Sequence, residues 1–255
     1  MASLAALPDA SAFEVQVHMC EDTYCREHTT ASVGTVPLFH HLAGHEVDLA
    51  VRSDGSPVVS VYDRFDGSVR LLSCSDADCS ANMQRTLKPA RYVRSEEGEF
   101  PGKTRVSGSR VAVRPDGRPV VAYRDPVDGS SRILDCQDVD CSETEERDLT
   151  GPGEQRPLPG LAVDREGRPQ LVTTDADGRA LVLISCADRG CEERRTVPLF
   201  PGNKSRLLDI ALVLGPDDRP VIAANYLSDR SGVAGVDGEG PILLRCDRSR
   251  CGTTG

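Results

Sequence analysis

The segment Val47–Cys79 reads VDLAVRSDGSPVVSVYDRFDGSVRLLSCSDADC. A short apolar run, Val47 to Val51, stops at Asp54-Gly55, and Pro57 opens a second apolar run that ends near Asp63. Asp-Gly followed by Pro is turn chemistry, because Gly supplies the left-handed backbone and Pro cannot continue a central ladder. A second turn at Asp66-Gly67 leads to a third run, and this reaches Cys74, with four residues between it and Cys79. Short apolar runs broken at this spacing predict strands joined by tight turns.

The same unit recurs downstream. Ser109–Cys141 reads SRVAVRPDGRPVVAYRDPVDGSSRILDCQDVDC, and Gly160–Cys191 reads GLAVDREGRPQLVTTDADGRALVLISCADRGC. Asp209–Tyr226 reads DIALVLGPDDRPVIAANY and resumes at Pro241–Cys251 as PILLRCDRSRC. A fourth strand leaves each second cysteine, as in Ala81 to Leu87, so each unit is a four-stranded antiparallel meander. Four short strands in about 50 residues, repeated, predict the blades of a β-propeller. No segment holds a 3.6-residue apolar period, so few helices are expected. The predicted fold class is all-β: one propeller domain over residues 1–255, with five units near 1–40, 41–102, 103–153, 154–204 and 205–255. Ser3 to Cys20 aligns without gaps on Pro57 to Cys74, so the first unit starts at a second strand, and the last leaves little fourth strand. Closure through these incomplete terminal blades, or oligomerisation through them, is expected.

The pattern DG-x-P followed by apolar residues, Tyr and Asp, and then by C-x4-C, resembles bacterial propeller-like repeats. The unit count resembles five-bladed propellers of the tachylectin type. This resemblance covers nearly the whole chain and implies the fold, not the function, since propellers host lectins, hydrolases, lyases and scaffolds.

The ten cysteines form five pairs of one spacing: Cys20/Cys25, Cys74/Cys79, Cys136/Cys141, Cys186/Cys191 and Cys246/Cys251. Bridges across the mouth of a hairpin loop fit this spacing, each worth about 2 kcal/mol in a loop this small. Buried thiols remain open as a reading, as does zinc, which needs two pairs to converge on one ion.

With 255 residues, 38% of them hydrophobic and 27% charged, the chain can bury a core. A formal charge of −10 leaves no basic field for nucleic acid or anionic lipid, so neither is an expected partner. No run approaches the roughly 18 apolar residues of a membrane span. Met1 to Asp9 lacks the pattern of an export signal and reads as cytoplasmic, whereas bridged cysteines argue for an oxidising compartment. Only Lys88, Lys103 and Lys204 are lysines among the 30 basic residues, a bias read as a GC-rich, bacterial coding sequence.

A meander alternates its connections. First turns and cysteine hairpins therefore share one end of each sheet, while second turns share the other with the loops that cross to the next unit. The crossing loops are where the copies differ. Six residues before the first-turn acid stand Asp48, Arg110, Gly160 and Ala211 in successive units. A repeated lectin pocket predicts repetition there, and one asymmetric site predicts difference. All five histidines fall early, and His40, His41 and His45 share the crossing loop before Val47. Imidazole there serves acid–base chemistry or holds a divalent metal, with Glu46 and Asp48 orienting it. Lys103, Arg105, Arg110, Arg206 and Asp209, near the starts of other inner strands, would bind a small substrate, the cations clamping a carboxylate. No phosphate loop, dinucleotide fingerprint, GxSxG elbow or HExxH helix occurs, so no organic cofactor is expected. The favoured reading is a single-site enzyme of lyase, cyclase or hydrolase type acting on a small metabolite. The alternative is a lectin-like or protein-binding module, which the lack of Trp and an aromatic content of 4% disfavour.

Overall fold

The computed structural model describes residues 1–7, 12–37, 46–63, 67–89, 108–125, 127–152, 159–175, 180–200, 206–227, 240–246 and 251–253. These form five antiparallel sheets in chain order. The first holds β1 (Ala2–Ala6), β2 (Ala12–Cys20) and β3 (His28–Pro37). The second holds β4 (Glu46–Val51), β5 (Pro57–Tyr62), β6 (Val69–Cys74) and β7 (Asn82–Lys88), and the third holds β8 (Ser109–Val113), β9 (Pro119–Arg124), β10 (Ser131–Cys136) and β11 (Thr144–Asp148). The fourth holds β12 (Gly160–Val163), β13 (Pro169–Thr174), β14 (Leu181–Cys186) and β15 (Arg194–Phe200). The fifth holds β16 (Arg206–Leu214), β17 (Pro220–Leu227), β18 (Gly240–Cys246) and β19 (Cys251–Thr253). Every sheet follows sequence order, so each is a meander. The first sheet has three strands and begins at the position of a second strand, and β19 has three residues, as the alignment of repeats predicts.

Burial explains the composition of the strands. The second strands β5 and β9 are buried at every position, which is why PVVSVY and PVVAYR run apolar without alternation. The fourth strands β7 and β11 are mostly exposed or half-buried and carry the charges. Two compact units are present: one comprises Met1–Pro101, Gly108–Val121 and Cys136–Thr144, the other Gly102–Ser107, Ala122–Asp135 and Glu145–Gly255. In the first, Val15, Val17, Val33 and Val36 of sheet one pack with Val59, Val61 and Leu72 of sheet two. In the second, Val172, Leu181 and Leu183 pack with Ile210, Leu212, Ile222 and Leu244. Each such side chain contributes about 1.5–3 kcal/mol relative to exposure.

The first turns share one geometry. Gly55, Gly117 and Gly167 have φ of 90°, 85° and 83°, and their amides donate to the carbonyls of Arg52, Arg114 and Asp164. In the fifth repeat Asp218 takes this place with φ 58°, in keeping with the tolerance of Asp for the left-handed region.

Four cysteine pairs are disulfides: Cys20–Cys25, Cys74–Cys79, Cys136–Cys141 and Cys186–Cys191, with Cα–Cα distances of 4.7, 4.8, 4.7 and 4.7 Å. The thiol and zinc readings of these pairs are therefore set aside, and the bridges place the folded chain in an oxidising compartment. The register of β18 and β19 puts Cys246 opposite Cys251. Among the described residues no helix is long and apolar enough to cross a membrane.

Candidate functional site

Inner strands β4 and β8 carry three of the described residues expected to act, Glu46, Asp48 and Arg110. Asp48 lies opposite Ser60 in the register of β4 with β5. Its Oδ2 accepts the Val111 amide of β8 at 2.8 Å. Beside it the Ser109 hydroxyl donates to Ser60 Oγ at 3.1 Å, with both residues fully buried. Arg110 donates to the Ser109 carbonyl at 3.3 Å. Burial raises the Asp48 carboxyl above the usual carboxylate range, against the Val111 amide, the Arg110 charge and the Leu49 amide, which favour the ionised form. A carboxyl so placed takes or gives a proton closer to neutral pH than an exposed aspartate.

The structure thus brings together Asp48 and Arg110, which occupy one repeat position on adjacent inner strands. Glu46 opens β4 opposite Tyr62. Asp209 lies exposed on β16 beside a bulge, and its Oδ1 accepts the Ile210 amide at 2.9 Å. Arg206 opens β16, but its side chain lies outside the described residues, as do His40, His41, His45, Lys103 and Arg105 entirely. Among the described residues no group of three or more His, Cys, Asp or Glu is placed to hold a metal ion. His18 hydrogen-bonds Ser3 Oγ at 2.7 Å and Thr30 Oγ1 at 3.0 Å.

Two groups of polar residues escaped the sequence reading. In the second unit Arg132 pairs with Asp125 at 3.1 Å, Asp128 at 2.8 Å, Glu146 at 3.2 Å and Asp148 at 2.7 Å, and the Tyr123 hydroxyl donates to Glu146. Desolvation and the Glu146 carboxylate push the Tyr123 hydroxyl far up, so it stays protonated. The other group is the aspartate two residues after the first cysteine of each hairpin. Asp22 binds the amides of Tyr24, Arg26 and Glu27, and Asp188 those of Glu192 and Glu193. Asp76 and Asp138 bind the amide and the hydroxyl of Ser80 and Ser142 respectively. Those hydroxyls and amides hold Asp76 and Asp138 below the usual range. In Asp22 and Asp188 desolvation works the other way, and the backbone donors outweigh it. The signal was visible as C-x-D in four hairpins and is missing from the fifth, where Arg248 stands.

No protein-family model and no curated protein matches the chain. Solved structures do. The GH93 alpha-L-arabinofuranosidase of Fusarium graminearum, in complex with arabinobiose, is 13% identical over 80% of this chain and 63% of its own, with a TM-score of 0.52. The alpha-L-arabinanase of Penicillium chrysogenum, also with arabinobiose, is 10% identical over 82% and 65%, at 0.51. Hydrazine synthase of Kuenenia stuttgartiensis is 13% identical over 98% and 64%, at 0.52. The fold is that of a β-propeller. This propeller chain spans less than two thirds of each of these structures, and at such identities the likeness is one of fold alone.

Proposed function

We propose that this propeller is a hydrolase acting on a small, sugar-like substrate at the crossing ends of β4 and β8, with Asp48 as the proton donor. One observation carries the reading: the repeat position filled by Gly160 and Ala211 elsewhere holds a half-buried carboxyl beside an arginine in the first unit. Asp48 would protonate the leaving oxygen as the bond from carbon to that oxygen breaks. A histidine of the loop that ends at Glu46 would take the proton of the attacking water, or hold a divalent metal that lowers the pKa of that water. Arg110 would orient the substrate. The likeness to an alpha-L-arabinofuranosidase and an alpha-L-arabinanase supports a sugar substrate, recognised here by hydrogen bonds, since the chain lacks tryptophan.

A panel of 4-nitrophenyl glycosides, headed by the α-L-arabinofuranoside, tests the reading. Turnover is expected for at least one member, with kcat falling as pH rises through the elevated Asp48 value, because the acid must be protonated. Saturable glycan binding without turnover of any panel member would move the assignment to a non-catalytic binding module.

A further inference from the structure

Among the described residues, the fifth sheet leaves an apolar face bare. The middle strands β5 and β9 of the second and third sheets are buried at every position, whereas β17 alternates buried Ile222 and Ala224 with exposed Ala223 and Asn225. On one face Ile210, Leu212, Ile222 and Leu244 pack with the fourth sheet. On the opposite face Ala211, Val213, Ala223 and Leu243 are exposed and Val221 is half-buried, with Val213 at 60% and Leu243 at 42%.

An antiparallel sheet that turns one face to water carries polar residues there. This face instead carries the residue types that the fourth sheet buries. Val172 and Leu183, which pack with the fifth sheet, stand at the repeat positions of Ala223 and Leu243. Contiguous apolar surface on a sheet face marks an interaction site.

The repeats specify what such a face takes. Each repeat offers an apolar surface to the one before it: Leu72 packs with the first sheet and Leu244 with the fourth, two residues before the first cysteine of their hairpins. Leu134 and Ile184 hold the same place, but the first repeat has His18 there. His18 shares its face of β2 with Gln16 and Glu14, whose side chains are hydrogen-bonded at 2.6 Å. That polar face is a poor cover for Val213 and Leu243.

Charge points to a copy of the same face. The register sets Val213 beside Val221 and Val221 beside Arg245, then Ala211 beside Ala223 and Ala223 beside Leu243. Asp209 lies two residues before Ala211, so Asp209 and Arg245, both exposed, occupy diagonal corners of the patch. A two-fold axis along the other diagonal lays the patch on itself and brings each Asp209 to the partner's Arg245. The strands of the two copies then cross steeply, as in orthogonal sheet packing. Small side chains at Ala211 and Ala223 let the sheets approach.

We propose that this face joins two copies of this chain, an isologous pair with Val213, Val221 and Leu243 at its centre and an Asp209–Arg245 ion pair at each of two corners. The proposal does not depend on the hydrolase reading.

Sedimentation velocity of the full chain across a range of concentrations reads the mass, which is expected to rise from one chain to two. Leu243→Glu buries a carboxylate in the contact and is expected to leave a single-chain mass throughout, with the thermal midpoint of the dilute protein unchanged because the side chain is exposed in one copy. Asp209→Arg alone and Arg245→Asp alone set like charges together at both corners, and each is expected to weaken association about tenfold. The Asp209→Arg/Arg245→Asp variant is expected to recover it. Leu243→Glu keeps the test decisive if a charge variant does not fold. A single-chain mass of the wild type at every concentration overturns the proposal, as does undiminished association of Leu243→Glu or a charge-exchanged variant that associates no more tightly than the single ones.

Discussion

At the cysteine end of the sheets the repeats agree. Each first turn closes on the same carbonyl, and in four hairpins an aspartate gathers backbone amides while the second bridged cysteine sits at φ between 53° and 57°. At the crossing end one repeat position carries Asp48, Arg110, Gly160 and Ala211. Asp48 reaches the next inner strand through its carboxylate, whereas Gly160 lets the next inner strand come so close that a Cβ would lie 3.0 Å from the Leu212 amide nitrogen. A repeated scaffold needs one solution many times, and a single site needs different groups at equivalent places. The difference between the ends therefore separates what the scaffold repeats from what it varies.

Four experiments sharpen or break this contrast. The largest stability effect is expected from Gly160→Ala, where the new Cβ meets backbone that cannot swing aside. A loss of up to about 3 kcal/mol by urea unfolding is expected, and a change within about 0.5 kcal/mol would mean that the inner strands yield there. Next, Cys136→Ser/Cys141→Ser should cost about 2 kcal/mol through the denatured state, read from the urea midpoint. An unchanged midpoint would remove the bridges from the account of the cysteine end.

The third effect is a pair of opposite pH dependences. The folded Asp138 carboxyl lies below its unfolded value, so its contribution is full above about pH 4 and is lost as pH falls through the folded value. Asp48 is raised on folding, so its contribution is greatest below about pH 4 and declines as pH rises through the folded value. Relative to wild type, Asp138→Asn should therefore lose stability with rising pH and Asp48→Asn should gain it, measured as urea midpoints across the acid range. Slopes of one sign would contradict the assignment. The smallest effect concerns the bridges themselves. Cys20 is exposed and Cys25 half-buried, whereas Cys136 is fully buried and Cys141 nearly so. Under graded reductant, alkylation followed by mass spectrometry should mark the first hairpin before the third, since access limits thiolate attack.

How far the sequence could be read follows the same division. Turns at Asp54-Gly55 and Asp116-Gly117, strands between them and bridged hairpins were legible because each is fixed by residues a few positions apart. The truncated first repeat was legible because Ser3 to Cys20 copies Pro57 to Cys74. The tie from Asp48 to the Val111 amide left no mark, since its partner is backbone that any residue supplies. Arg52, whose guanidinium donates to the Gly117, Cys74 and Val139 carbonyls and to the Ser56 and Ser73 hydroxyls, is hidden for the same reason, three of its five acceptors being backbone. Ser60 and Ser109 meet across 49 residues, and neither is unusual where it stands. The expected contributions of His40, His41, His45, Lys103 and Arg105 lie outside the described residues, so the candidate site rests on the inner strands.

The measurement that tests this account most directly is kcat on one hydrolysed glycoside for wild type, Asp48→Asn and Asp138→Asn. The account predicts a fall of about 10²-fold or more for Asp48→Asn, the scale of a lost general acid, and a change within about twofold for Asp138→Asn. Equal losses in the two variants, unchanged kcat in Asp48→Asn, or a wild type that turns over no glycoside would contradict it.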